Sequence, residues 1–187
     1  MNFLAHIHLA SPDEGKMLGG FMADGMQRKQ LDNLPADIVE GVHFHWRVDE
    51  FTDAHPIFKE SAELFRSTQN KYATVVLDIV FDHFLAANWK TYSDSDLDTF
   101  AASFYHLAHQ QEHLLTDRHR RLLYYMERDN WLYNYRTLDG LQQALFGISR
   151  KASLTNNMHR AIAVVETHYE TLRRNFSVFY PELMNIS

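Results

Sequence analysis

Seven glycines and four prolines are all the conformational punctuation in 187 residues. A protein of many short strands needs frequent turns, and turns draw heavily on both residues. A chain this poor in them is predicted to form long helices with few connections. Hydrophobic residues make up 45% of the chain and charged residues 22%, which suits a globular protein with a core of its own. The length fits one helical domain over residues 1–187 better than two.

Local signals place the helices. Ser11-Pro12-Asp13-Glu14 reads as a helix start, with a capping serine, proline in the first turn and acids following. That helix is expected to run to Gln30, although Gly19-Gly20 weakens it. Leu34-Pro35-Ala36-Asp37 opens the next helix, and His55-Pro56 ends it, because a residue before proline avoids the helical region. Pro56 to Thr68, Tyr72 to Tyr92, Leu97 to Leu115, His119 to Asn130, Thr137 to Ile148 and Asn156 to Phe179 follow as apolar or amphipathic stretches. The expectation is an all-α protein of seven or eight helices. A strand over residues 3–9 is the alternative, since Phe3, Ala5 and Ile7 alternate with Leu4, His6 and His8.

Several chemistries fall away. The chain has no cysteine, so a metal must bind through nitrogen and oxygen. That composition also suits a cytosolic address. The opening MNFLAHIHLA has no basic leader and carries two histidines, unlike a signal peptide. No apolar run approaches the roughly 18 residues of a membrane span. A net charge of −6 argues against general nucleic-acid binding. There is no Gly-x-Ser-x-Gly elbow and no Walker phosphate loop.

Twelve histidines remain, and spacing must sort them. His45, Asp49 and Asp53 recur every four residues, which puts them on one helix face. Imidazole and carboxylate together suit a divalent ion; a solvated face with capped histidines has the same spacing. Asp78, Asp82 and His83 sit inside the apolar run Val75 to Leu85. Buried carboxylates are costly unless paired or metal-bound, so either a site or a buried ion pair is expected there. His6 lies in the apolar N-terminal run, and Asp24 follows a small-residue stretch. His109 and His113 form a competing pair at i, i+4, with surface pairing to Arg120 and Arg121 as its ordinary explanation.

At this point the blocks can be taken together. Residues 2–10 (NFLAHIHLA), Asp24, residues 41–49 (GVHFHWRVD) with Thr52-Asp53, residues 77–85 (LDIVFDHFL), Trp89 and Phe179-Tyr180-Pro181 occur in that order. They resemble the acyl carrier protein phosphodiesterase family over nearly the whole chain. The resemblance implies a helical, HD-domain-like fold and a divalent metal, Mn²⁺ or Mg²⁺. It implies hydrolysis of the phosphodiester joining 4′-phosphopantetheine to a serine of holo-acyl carrier protein, the protein substrate. It makes His45, Asp49, Asp82 and His83 the expected metal ligands, with His6 and Asp24 next. Asp53 and Asp78 are expected beside the metal as catalytic carboxylates. Arg47 is expected to contact phosphate, although it lies two positions from both His45 and Asp49 on the helix. An acidic carrier would dock on a basic patch: Arg118 to Arg121, Arg150-Lys151 or Arg173-Arg174. No nucleic-acid or membrane partner is expected. The rivals are a hydrolase of nucleotides or other small phosphodiesters, and a helical binding protein without activity.

Overall fold

The computed structural model describes residues 1–151 and 155–186, and all regular structure among them is helical. The first half holds α1 (Phe3–Ala10), α2 (Glu14–Met22), α3 (Ala36–Ala54), α4 (Pro56–Gln69), α5 (Ala73–Ala87) and α6 (Trp89–Tyr92). The second half holds α7 (Leu97–Gln110), α8 (Asp117–Arg128), α9 (Trp131–Asn134), α10 (Leu138–Lys151), α11 (Ile162–Thr167) and α12 (Tyr169–Met184). Among the described residues, twelve α-helices therefore replace the seven or eight expected. Apolar stretches read as single helices are divided: Asn88 separates α5 from α6, and His168 separates α11 from α12. The segment after Met22 leaves the α-helix and resumes as a 3₁₀ turn at Arg28–Asn33. Pro181 lies inside α12 and does not end it.

The all-α expectation holds, and residues 3–9 are helical, not a strand. His55-Pro56 divides α3 from α4 as predicted. Pro56 takes the first turn of α4, and the His55 ring nitrogen accepts the Ile57 N–H at 3.3 Å.

Helix α5 is the axis of the core. Eleven of its fifteen residues are buried, as expected for a helix apolar on nearly every side. It packs against α1, α4, α10 and α12. One line of α5 stays open, formed by Thr74, Val75 and Asp78, and it faces a cleft.

Asp82 ties α1 to this axis. Its carboxylate, fully buried, accepts the backbone N–H groups of Leu4 at 2.8 Å and Ala5 at 3.2 Å. The first N–H groups of any helix lack partners within it, and they favour a negative group. Asn2, at the cap position, makes no capping bond; its side-chain amide donates instead to the Tyr135 hydroxyl at 3.0 Å. A second tie joins α1 to α12. The His8 Nε2–H donates to the Tyr92 carbonyl at 3.1 Å, and Nδ1 accepts from the Tyr180 hydroxyl at 2.7 Å.

Burial pushes the Asp82 carboxyl from its ordinary 3.8 up to about 7, despite the two backbone N–H groups that favour the charge. The fold thus holds that proton more tightly than the unfolded chain does. Its contribution to stability is complete below about pH 4 and is lost as pH rises through about 7. Asp82→Ala, which leaves two buried N–H groups without partners, should cost about 3 kcal/mol in urea unfolding. Asp82→Asn should cost less and flatten the fall in stability between pH 4 and 7. A variant as stable as the parent at every pH would remove Asp82 from this role.

Candidate metal centre

Two glycines let α2 and α3 meet. A Cβ on Gly19 would collide with the Ile38 carbonyl oxygen, and one on Gly41 with the Lys16 carbonyl. Their absence of side chains allows the backbones to touch. As a result His45, on the buried face of α3, reaches Gly20: Nδ1–H donates to the Gly20 carbonyl at 2.8 Å. The opposite nitrogen, Nε2, points at Asp49 Oδ2, 3.1 Å away and one turn along the same helix.

Helix α1 supplies the third group. His6 Nε2 lies 3.1 Å from Asp49 Oδ1, and its ring stacks on His45 with centroids 3.6 Å apart and planes 13° from parallel. The ligand atoms of His6, His45 and Asp49 all lie within 4.8 Å of one another. No other such cluster occurs among the described residues.

The hydrogen bonding of this cluster fits a cation. A carbonyl only accepts, so the bond to Gly20 places the His45 proton on Nδ1. Nε2 then faces a carboxylate oxygen at 3.1 Å. Two acceptors at that distance repel unless a proton or a metal ion lies between them. His6 shows a related imbalance: Nε2 faces both Asp49 and the Met1 carbonyl, each at 3.1 Å, while the buried Nδ1 has no partner. Burial lowers His6 to about 3, with the neighbouring His45 adding to the effect, so its ring is neutral at pH 7. Burial alone would raise Asp49, but hydrogen bonds from His45 and His6 hold it below the usual carboxylate range. The neutral His6 imidazole and the ionised Asp49 carboxylate are protonation states that bind a metal.

Asp78 and Asp53 line the same cleft. The Met1 amino group, buried, lies 2.8 Å from Asp78 and 3.8 Å from Asp49. Burial raises the Asp78 carboxyl, and the Met1 ammonium offsets part of that rise. Burial alone would lower the Met1 ammonium, but Asp78 and Asp49 raise it above its ordinary value.

The other residues singled out from the sequence go elsewhere. Asp82 is occupied by the start of α1, and His83 donates from Nδ1 to the Tyr135 carbonyl at 2.7 Å and accepts at Nε2 from the Tyr169 hydroxyl at 3.1 Å. Neither joins the His6–His45–Asp49 cluster. Asp24 lines the cleft but is exposed and pairs with Arg118 at 3.2 Å. Arg47 is exposed, its guanidinium 5.4 Å over the Phe44 ring, and is not among the residues lining the cleft. The competing pair is separated, because α7 ends at Gln110 and His113 lies in a 3₁₀ turn beyond it. His109 pairs instead with Glu127 at 2.7 Å.

The cleft itself has a volume of about 940 Å³. Met1, His6, His45 and Asp49 are among its lining residues, together with residues of α5, α8 and α10. On α8 the lining residues are Arg118, Arg121, Leu122 and Tyr125; Ala144, Gly147 and Ile148 face it from α10. Arg118 and Arg121 appear in the sequence as part of a surface patch, and nothing in the spacing of α8 connects them with a cleft begun by α1 and α3. Of the remaining basic candidates, Arg150 lies 5.8 Å over Phe146 and Arg173 pairs with Glu170. The Lys151 side chain lies outside the described residues.

A family model described as acyl carrier protein phosphodiesterase matches residues 1–183. Curated relatives carry the same name in Escherichia coli O139:H28 (strain E24377A / ETEC) and Escherichia coli (strain K12 / DH10B). Each is 33% identical over 188 residues, covering 98% of this chain and 96% of the relative. No solved structure matches the chain, so structural comparison adds nothing to the HD-domain-like expectation.

Calorimetric titration with Mn²⁺ checks the cluster. His45→Ala and Asp49→Ala should weaken binding by more than about 100-fold, beyond the range found for residues one bond removed from a metal. Asp82→Asn should change it by less than about 10-fold. The opposite pattern would transfer the ligand role to α5.

Proposed function

The chain belongs to the acyl carrier protein phosphodiesterase family, and we propose that it hydrolyses the phosphodiester between 4′-phosphopantetheine and a serine of holo-acyl carrier protein. The products are the apo carrier and the free phosphorylated arm. The observation that carries the reading is the convergence of His6, His45 and Asp49 in a cleft of about 940 Å³. That volume lies in the range of small-molecule sites, about 300–1,000 Å³. It leaves room for an extended arm beside the cluster. The proposal carries a cytosolic setting with it.

His6, His45 and Asp49 would hold the metal. Two imidazoles and one carboxylate favour Mn²⁺ over Mg²⁺, which prefers an all-oxygen shell. A bound divalent ion supplies a water of lowered pKa and a positive charge for a phosphoryl oxygen. The bond from His45 Nδ1–H to Gly20 leaves Nε2 as the nitrogen that would face a metal. Asp53 extends the Asp49 face by one turn into the cleft, where it can orient a water. Asp78 is the carboxyl group we assign to protonating the departing serine oxygen. It lines the cleft, and its burial favours the protonated form that a general acid needs.

Mass spectrometry of the carrier tests the reading. Holo carrier incubated with the protein and Mn²⁺ should lose the mass of the phosphopantetheine arm, and chelation should stop the loss. Intact carrier alongside hydrolysis of nucleotide diesters would establish the small-diester alternative. Intact carrier with no diester hydrolysis would favour a binding protein.

A further inference from the structure

The lining of the cleft is unbalanced for an anionic substrate. Asp24, Asp49, Asp53, Asp78 and Asp129 all face it. Against these five carboxylates stand the Met1 amino group, Arg118 and Arg121. Most of these charges already have partners. Met1 is paired with Asp78, and Arg118 with Asp24. Asp129 takes both arms of Arg128, at 2.7 and 2.6 Å.

Arg121 is different. No hydrogen bond or ion pair engages it among the described residues, and its side chain is exposed. Helical spacing explains its direction. Arg118, Arg121, Leu122 and Tyr125 stand at i, i+3, i+4 and i+7, one face of α8, and that face lines the cleft. Arg120 falls on another side, bonded to Asp117 and the Glu112 carbonyl.

The start of α8 is also held in place against the Asp24 loop. Gly25 has φ +81°, and a Cβ there would strike the Arg118 guanidinium. Arg118 thus packs on a bare backbone while its charge pairs with Asp24. One turn further along, Arg121 marks the point where the α8 face changes from charged to apolar, with Leu122 and Tyr125 beyond it.

We propose that Arg121, which lines the same cleft as His6, His45 and Asp49, contacts the non-bridging oxygens of the substrate phosphate, with the Arg118–Asp24 pair positioning the helix that carries it. This inference rests on the phosphodiesterase reading. A guanidinium offers paired donors to phosphate oxygens. Arg47, the arginine that the sequence suggests for this role, stacks on Phe44 outside the cleft.

The test compares Arg121→Ala, Arg121→Lys and Arg47→Ala, each with Mn²⁺, on holo carrier and on bis(4-nitrophenyl) phosphate. Arg121→Ala should lower kcat/KM by about 10- to 100-fold, the effect of losing a hydrogen bond to a charged group. Lysine should restore part of the loss, and added guanidinium ion should partly rescue the alanine variant. Its Mn²⁺ affinity and Tm should match the parent. The inference is overturned if Arg121→Ala stays within about twofold of the parent, if Arg47→Ala shows the larger loss, or if the loss tracks weakened metal binding or folding. A parent that cleaves the small diester and leaves holo carrier intact overturns the carrier reading, while the small diester still reports on Arg121.

Discussion

The His6–His45–Asp49 cluster depends on a carboxylate that lies outside it. Asp82 sits fully buried in the central helix and accepts the first N–H groups of α1. This bond spans 78 positions of sequence and fixes where α1 begins. His6 lies in the first turn and a half of that helix, so the same bond sets the height at which its imidazole meets His45. A charged anchor in so apolar a place is costly, and the cost appears in the rise of the Asp82 carboxyl to about 7. The unpaired donors of a helix start reduce that cost.

The second constraint is the crossing of α2 on α3. Gly19 and Gly41 bring the two backbones together where any Cβ would collide, and His45 then reaches the Gly20 carbonyl. Packing thereby decides which nitrogen of His45 faces Asp49. The nitrogen turned toward Asp49 at 3.1 Å needs a proton or a cation between the two groups. Around that demand the cleft gathers carboxylates, and α8 supplies the arginines that face them.

Much of the fold was legible. The scarcity of glycine and proline, the proline at His55-Pro56 and the apolar run of α5 all correspond to what formed. Helix number was less legible, because breaks at Asn88 and His168 carry no strong stop signal. In the site, His45 and Asp49 were visible through their spacing of four. His6 entered through resemblance, since one histidine in an apolar run has many ordinary explanations. Asp82 and His83 show how much burial in an apolar helix leaves open. A carboxylate in an apolar helix must be answered by something, and a metal is one answer. The N–H groups of a helix start are another, and sequence alone does not show that Leu4 and Ala5 arrive there. Arg121 shows the reverse: it sits in a basic cluster that reads as surface, and only the packing of α8 over the cleft separates it from Arg120.

The most direct measurement is anomalous diffraction at the manganese edge from crystals of the protein grown with Mn²⁺. The account predicts a peak in contact with His6, His45 and Asp49, with Asp82 still bound to the N–H groups of Leu4 and Ala5. A peak coordinated by Asp82 and His83, with α1 displaced from α5, would contradict it.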